Sequence, residues 1–211
     1  MDQLGGLSVP QSLSDACRPD RLALLVYDMQ AGILEQIADR ETVLANVRVV
    51  LEAARSAGVR TYFTRHVTLP VGLMGVAQLR MWQGWQRVDR LEEVRSPFLP
   101  DAPQTQIVPA LKPNENEAVI DKLTLSAFAG TPLELALRGA GVDVVAMVGV
   151  ATEIGIEPTA RHAGDLGFIP VVVTDACGAG NADAAARSME NLRFLGDAML
   201  TDVAGFRAAL G

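Results

Sequence analysis

The stretch Leu22-Ala-Leu-Leu-Val-Tyr27 is a short, continuous apolar run that stops directly at a carboxylate, Asp28. Such a run is typical of a strand that is buried on both faces of a parallel sheet. The block over residues 41–57 follows with apolar side chains at helical spacing, and Gly58 stands where a C-terminal cap is expected. The run Val59-Arg-Thr-Tyr-Phe-Thr64 then predicts a second strand. Strand, helix and strand in this order predict a crossover unit with parallel strands.

The same alternation continues to the end of the chain. Further strands are predicted at Ala118–Ile120, Val144–Val148, Ile169–Val173 and Met199–Thr201, with helices that begin near residues 131, 156 and 183 and a terminal helix through Phe206. We therefore predict an α/β fold of three αβα layers, Rossmann-like, with a six-stranded, mainly parallel sheet. We expect residues 21–211 to form this single domain and residues 1–20 to precede it as an N-terminal arm.

The interval over residues 68–116 breaks the alternation and is too long for an ordinary connection. It contains both tryptophans of the chain, Trp82 and Trp85. Either it carries a short helix around residues 78–85 that contributes to a lid or a subunit contact, or it is a surface excursion. Because tryptophan favours interfaces and ligand pockets, we prefer the first alternative.

Composition limits the classes of function. The 211 residues, of which 49% are hydrophobic and 20% charged, describe a compact domain and exclude a disordered protein. The net charge of −7 argues against nucleic acid as a partner. No apolar run reaches the roughly 20 residues of a membrane span and no signal peptide is recognisable, so we expect no membrane partner and a cytoplasmic location. Two cysteines and two histidines predict neither a disulfide framework nor a histidine-rich metal site.

Polar side chains that directly follow strands are the first candidates for chemistry, because ligands bind at the carboxyl edge of a parallel sheet. Such positions are held by Asp28, Lys122, the segment 149–155 and Asp175. An acid and a lysine that converge at this edge can relay a proton and hold an anion. Taken singly, each also has a structural alternative, which is a cap or turn for the aspartates and a solvated edge charge for the lysine.

A resemblance to a known family rests on four segments of the chain, namely Leu24–Gln30, Asp121–Leu133, Val148–Ala163 and Val173–Cys177. In order and spacing they resemble the isochorismatase-like hydrolases, also called the cysteine hydrolase superfamily. The resemblance covers residues 21–206. It implies the sheet order 3-2-1-4-5-6, an active site at the carboxyl edge, a small-molecule substrate and a homo-oligomer, either a dimer or a tetramer.

Amidases of this superfamily use a triad of Asp, Lys and Cys. By position, Asp28 matches the family's acid/base and Lys122 its orienting cation, whereas Gly155 stands at the nucleophile position. A glycine offers no side chain for an acyl intermediate, which excludes covalent catalysis there. The isochorismatases are similar in carrying glycine here, although they continue into a cysteine where this chain has Ile156 and Glu157. The resemblance to them implies that Asp28 acts as a general acid and that Lys122 tunes it and binds a substrate carboxylate.

The resemblance also implies the remaining site residues. A cis peptide bond is expected at Val150–Ala151, with the backbone N–H groups of Ala151 and Gly155 as oxyanion donors. Neither a catalytic metal nor a cofactor is expected. The substrate pocket is expected to be lined by Gln30, Ser126 and Phe128 and closed by Trp82 or Trp85.

Three hypotheses of function follow. The first is a metal-free hydrolase that uses Asp28 and Lys122 to direct water at a small anionic substrate, without a covalent cysteine intermediate. The second is a catalytically silent member that binds a small ligand or acts as an assembly subunit, and it is motivated by the glycine at position 155. The third is an amidase with a rearranged site around Cys177, although such a cysteine is more often a small core residue.

Overall fold

The computed structural model of this chain describes all 211 residues. Its strands are β1 (Asp2–Leu4), β2 (Leu7–Val9), β3 (Leu22–Tyr27), β4 (Arg60–His66), β5 (Ala118–Lys122), β6 (Val144–Val150), β7 (Ile169–Gly178) and β8 (Met199–Thr201). Its α-helices are α1 (Leu13–Ala16), α2 (Ala31–Leu34), α3 (Arg40–Ser56), α4 (Val76–Gln86), α5 (Leu133–Gly139), α6 (Glu157–Asp165), α7 (Ala182–Leu195) and α8 (Val203–Leu210). Short 3₁₀ turns lie at Val71–Leu73, Leu91–Glu93, Pro103–Thr105 and Pro109–Leu111, and a π-helical turn lies at Thr152–Ile156.

Strands β3 to β8 form one parallel sheet in the order β5-β4-β3-β6-β7-β8. Counted from β3 as the first strand, this is the order 3-2-1-4-5-6, which confirms the predicted fold. β3 lies between β4 and β6, and every residue of β3 and β6 is buried. Their continuous apolar sequences arise because both faces of the sheet are covered. The antiparallel hairpin of β1 and β2 is a separate, exposed element.

Side chains alternate along β3 and divide the interior into two cores. Leu24 and Val26 belong to a core of 25 buried residues, which includes the inner face of α3. Leu25 and Tyr27 belong to a core of 17 on the opposite face, which includes residues of α5 and α6. Because the side-chain period of a strand is two residues, the position of Tyr27 follows from that of Leu25. Tyr27 therefore faces the α5 and α6 side immediately before the strand ends at Asp28.

Strand β7 is longer than the predicted Ile169–Val173 and continues to Gly178, with an irregular register against β6. Asp175 therefore lies within a strand and does not follow its end. Its Oδ1 accepts a hydrogen bond of 2.8 Å from the N–H of Val203, the first residue of α8. Asp175 therefore helps to cap the start of α8, which is the structural alternative to a catalytic role.

The interval over residues 68–116 contains α4, which confirms the predicted helix around residues 78–85. Trp82 on this helix packs with Met74, Val94 and Phe98 in a small core of their own. The ring centroids of Trp82 and Phe98 are 6.0 Å apart. The interval is therefore a folded unit that packs around one tryptophan.

The predicted N-terminal arm, residues 1–20, combines two kinds of structure. Its hairpin is exposed at every residue, whereas Ala16 and Cys17 are buried in the larger core. Helix α1 contacts α8 at this place. Among the helices of the chain, none has both the length and the apolar character that crossing a membrane requires.

Candidate active site

A cavity of about 650 Å³ opens at the carboxyl edge of the sheet. Small-molecule sites usually have volumes of roughly 300 to 1,000 Å³. Five of the predicted site residues line this cavity, namely Asp28, Lys122, Ala151, Trp82 and Trp85. These residues come from four distant parts of the chain, of which the sheet positions three and α4 the fourth.

The centre of the site is an ion pair between Lys122 and Asp28. Lys122 Nζ donates a hydrogen bond of 2.7 Å to Asp28 Oδ2 and one of 3.1 Å to the carbonyl oxygen of Thr124. Thr64 Oγ1 donates to Asp28 Oδ1 at 2.6 Å and accepts from the N–H of Asp28 at 3.2 Å. Because β4 lies between β3 and β5, Thr64 on β4 bridges the space between the two charged residues. The parallel register of three strands therefore fixes the pair.

The ion pair is buried, and this burial changes how readily Lys122 loses its proton. The side chain of Lys122 is 0% exposed and that of Asp28 is 5% exposed. Burial lowers the pKa of Lys122 below its usual value, while the neighbouring Asp28 carboxylate favours the charged form. A lysine in this setting gives up its proton more readily than an exposed lysine. The pair is therefore suited to move a proton and to present positive charge to an anion.

Asp28 adopts a left-handed backbone conformation with φ of +46°. A non-glycine residue in this region costs of the order of 1 kcal/mol or more, although aspartate tolerates it better than most residues. The Asp28 carbonyl oxygen accepts a hydrogen bond of 2.7 Å from the N–H of Gln30, and Thr64 holds the side chain and the N–H. The surrounding hydrogen bonds therefore maintain an unusual conformation at the residue that carries the site's acid.

Gly155, at the predicted nucleophile position, is buried in the π-helical turn before α6 and does not line the cavity. Its N–H donates a hydrogen bond of 2.9 Å to the carbonyl oxygen of Ala151, so this predicted oxyanion donor is engaged within the turn. Ala151 does line the cavity, and the peptide bond Val150–Ala151 is cis, as expected. Of the two predicted donors, the structure brings Ala151 to the cavity.

Gln30 is fully buried and lies outside the cavity. Its Nε2 donates to the carbonyl oxygens of His66 at 3.0 Å and Thr105 at 2.9 Å, and its Oε1 accepts from the N–H of His66 at 2.6 Å. All these groups are backbone atoms of β4 and of the 68–116 interval. Gln30 therefore ties two segments together, and no polar atom of its amide remains to contact a substrate.

Ser126 and Phe128 also lie away from the cavity. Ser126 Oγ is 2.8 Å from His162 Nδ1 on α6, and the Phe128 ring stacks on Phe168 with centroids 5.7 Å apart. Leu125, in the same loop, lines the cavity instead. The segment after β5 therefore turns its predicted pocket residues toward the α5 and α6 core.

Among the other residues that line the cavity, Tyr27, His66 and Arg87 were not predicted to be there, and Glu153 lies within the candidate segment 149–155. His66 ends β4 and pairs in register with Lys122, so the strand-end pattern that found Lys122 could also have found it. Burial, aided by the charge of Lys122, lowers the pKa of His66 to about 4, so this imidazole is neutral near pH 7. Arg87 follows α4 in a left-handed conformation with φ of +53°, for which no sequence signal exists.

Neither cysteine belongs to the site. Cys177 does not line the cavity, and its Sγ lies 3.8 Å from the carbonyl oxygen of Met147. Burial raises the pKa of Cys177 to about 12 and that of Cys17 to about 11, which disfavours a reactive thiolate in either place. No group of three or more His, Cys, Asp or Glu side chains is arranged to hold a metal ion.

Comparison with known proteins finds relatives along most of the chain. The Isochorismatase domain family model matches residues 22–204. The chain is 35% identical over 170 residues to the uncharacterized isochorismatase family protein YecD of Escherichia coli O157:H7, which covers 76% of this chain and 81% of YecD. It is 25% identical over 191 residues to the ureidoacrylate amidohydrolase RutB of Acinetobacter baylyi, with 83% and 78% covered. Its fold is similar to that of a cysteine hydrolase from Pseudomonas syringae pv. phaseolicola, with a TM-score of 0.79, 23% identity and 91% and 93% of the two chains covered.

Proposed function

Because the chain belongs to the isochorismatase family, we propose that it is a hydrolase that directs water at a small anionic substrate without a covalent cysteine intermediate. The observation that carries this proposal is the buried ion pair of Asp28 and Lys122, 2.7 Å apart, at the floor of a cavity that no cysteine lines. The site therefore contains an acid and a cation but no nucleophilic cysteine. Such a site can perform acid–base chemistry but cannot form an acyl-enzyme.

In this mechanism the proton that the substrate receives moves from the Lys122 ammonium through the Asp28 carboxylate, and the proton that water releases returns along the same path. Protonation makes one substrate carbon electrophilic, the oxygen of water bonds to that carbon, and the Asp28 carboxylate takes up the proton that water releases. The bond to the leaving oxygen or nitrogen then breaks, and the leaving group departs with the proton of the hydroxyl group that water formed on that carbon. Lys122 holds the Asp28 carboxylate in place through its hydrogen bond, and its positive charge attracts an anionic group of the substrate.

The wall of the cavity supports a small anionic substrate. Arg87 lines it with an exposed guanidinium that makes no ion pair within the chain. Trp85, which is 46% exposed, and Phe98 add flat apolar surface. A guanidinium binds carboxylate or phosphate well, and tryptophan offers contact area to a planar body. We therefore assign Arg87 to the anionic group and Trp85 to the body of the substrate.

The test is a turnover screen of small carboxylates that contain a vinyl ether, an ester or an amide. Asp28→Asn is expected to lower kcat by about a thousandfold on any substrate found, because it removes the acid. Asp183→Asn is the matched control, since Asp183 is exposed in the first turn of α7. Full turnover by Asp28→Asn would contradict the proposed mechanism.

The second candidate is a silent member of the family that binds a small ligand, which is favoured by the glycine at the nucleophile position. It predicts that a small carboxylate raises the Tm of the protein and emerges unchanged after long incubation. The same panel decides between the candidates, because turnover excludes the second and binding without turnover excludes the first.

The resemblance further implies a homo-oligomer, and we propose a dimer or tetramer. Phe194 on α7 supports this, since its side chain is 86% exposed. Light scattering on a sizing column measures the mass directly, and a value near the 22.4 kDa of one chain would contradict the assembly.

A further inference from the structure

The side chain of Tyr27 occupies the space that any side chain at position 155 would need. A Cβ added to Gly155 would lie 2.1 Å from the Tyr27 hydroxyl oxygen, 2.2 Å from Cζ and 2.3 Å from Cε1. Atoms that are not bonded do not approach this closely, so either the ring or the backbone would have to move. Tyr27 is only 2% exposed and packs in the core of 17 residues, so a shift of its ring would disturb that packing. Gly155 is thus the only residue that fits against Tyr27 in its present position.

Two contacts fix the position of the Tyr27 side chain, one at its hydroxyl and one at the face of its ring. Its hydroxyl donates a hydrogen bond to the carbonyl oxygen of Leu125, and its ring lies under the Lys122 ammonium, with Nζ 4.3 Å from the ring centroid. Burial, reinforced by the charge of Asp28, raises the pKa of Tyr27 well above its usual value, so the phenol stays neutral. The residue therefore offers the site an uncharged aromatic face.

Lys122 needs this face because its ammonium is buried and has three N–H donors. Two oxygens accept from it, namely Oδ2 of Asp28 and the carbonyl oxygen of Thr124. The contact with the Tyr27 ring is the remaining stabilising contact, and such cation–π contacts strengthen when water is excluded.

We propose that Tyr27 is a positioning residue of this site, whose ring takes the place of a nucleophile's side chain and holds the Lys122 ammonium against Asp28. The part that concerns catalysis rests on the proposed function, whereas the steric and electrostatic parts do not. Because Tyr27 fills the space beside Gly155, position 155 has no room for a nucleophilic side chain, and water attacks the substrate directly. Adding a thiol at position 155 is not sufficient to create a covalent site while Tyr27 is present.

The steric part is tested by thermal unfolding. Gly155→Ala is expected to lower Tm by about 5 °C, because it overpacks a filled core. In the Tyr27→Leu background, which lacks the clashing atoms, the same change should lower Tm by less than half as much. Gly164→Ala on α6 is the control, since its Cβ would meet only Asp197 Oδ2, at 3.9 Å. An unchanged Tm in Gly155→Ala, or an equal loss in both backgrounds, would overturn the steric part.

The electrostatic part is tested by NMR, because the chain contains only two lysines, Lys112 and Lys122. Lysine labelled with ¹³C at Cε should give two signals, and exposed Lys112 serves as the internal control. The Lys122 signal is expected to titrate about one pH unit lower in Tyr27→Leu than in wild type, because the cation loses the ring. Tyr27→Phe keeps the ring and should titrate as wild type does. Equal titration in all three proteins would overturn the role of Tyr27.

These two measurements need no substrate, so they separate this inference from the proposed function. Where a substrate has been found, Tyr27→Leu should lower kcat about tenfold and shift the alkaline limb of the pH–rate profile to lower pH, whereas Tyr27→Phe should do neither. A shifted titration with unchanged kcat would contradict the proposed use of Lys122 in hydrolysis and leave its contact with Tyr27 intact. A lowered kcat with an unshifted limb would contradict the positioning role.

Discussion

Lys122 Nζ lies 2.7 Å from Oδ2 of Asp28, although the two residues are 94 positions apart in the sequence. Each residue stands at the end of its strand, and β4 lies between the two strands. The separation along the chain is therefore irrelevant to the distance, which the sheet order and register determine. Opposite charges that are both buried depend on each other strongly, because neither has water to replace its partner.

Removal of one partner of this pair is expected to destabilise the protein strongly. Lys122→Met should lower the free energy of unfolding by about 3 kcal/mol, because it leaves the Asp28 carboxylate buried without its cation. The double variant Asp28→Asn/Lys122→Met should lose less than the sum of the two single variants. Urea unfolding measures both quantities, and strictly additive losses would show that the charges do not interact.

Stability is expected to depend on pH through His66. Burial lowers the pKa of His66 to about 4 from an ordinary value of 6.5, so between these values the unfolded chain binds a proton that the native state does not. Stability is therefore expected to fall as the pH drops from 6.5 to 4, by up to about 3 kcal/mol. His66→Phe should remove this part of the slope, whereas His162→Phe should preserve it. Urea unfolding at several pH values provides the measurement, and equal slopes in all variants would refute the assignment.

The two cysteines are expected to be inert in the native protein. Burial raises the pKa of Cys17 to about 11 and that of Cys177 to about 12, so the thiolate fraction at pH 8 is very small. Iodoacetamide should leave both thiols and any turnover intact, and it should modify both after unfolding in urea. Mass spectrometry counts the alkylated sites. Loss of turnover in step with alkylation of Cys177 would instead support the rearranged amidase site.

A cysteine at position 155 is expected to give thiol-dependent hydrolysis only when Tyr27 is also changed. Gly155→Cys alone places Cβ against the Tyr27 hydroxyl and should unfold at a lower temperature without gaining activity. Tyr27→Leu/Gly155→Cys should accept the side chain and hydrolyse p-nitrophenyl acetate faster than Tyr27→Leu does. The rate of nitrophenol release is the measurement. Faster release by Gly155→Cys alone would mean that the tyrosine does not block the position.

Arg87 is expected to contribute to binding of the anionic substrate and not to the chemical step. Arg87→Gln should raise KM about tenfold with kcat unchanged, because it removes a charge-assisted hydrogen bond that is equally strong in the ground state and transition state. Arg80→Gln, which changes an exposed arginine on α4 outside this cavity, is the matched control. Steady-state kinetics separates the two parameters. An unchanged KM would remove Arg87 from the site.

The strand-end pattern and the family resemblance predicted the sheet, Asp28 and Lys122, because short buried strands and the polar residues after them are local features of the sequence. The three misplaced pocket residues depend on distant partners instead. Gln30 hydrogen bonds to residues 36 and 75 positions away, and Ser126 meets a side chain 36 positions away. Whether such residues face a cavity or a core is decided by those partners, which no local pattern reveals.

Tyr27 is an intermediate case. The alternation along β3 places its side chain on the α5 and α6 side, and that much is readable from the sequence. The contact with Gly155 depends on how the π-helical turn approaches β3, and this is a property of the packed structure. A glycine that follows a strand is ordinarily explained by the turn itself. Gly155 is instead explained by the neighbouring Tyr27 ring, which leaves no space for a side chain at this position.

The small core around Trp82 has a consequence for how this protein can change over evolutionary time. The charged pair depends on the register of the central sheet, whereas Trp82 and Phe98 of the cavity wall pack in a separate core within the 68–116 interval. Substitutions in that interval that preserve its contacts with His66 on β4 can alter which molecule enters the cavity while the strands still hold Asp28 and Lys122. Selectivity and reactivity can therefore diverge independently, so that homologues with the same pair of charges need not share a substrate.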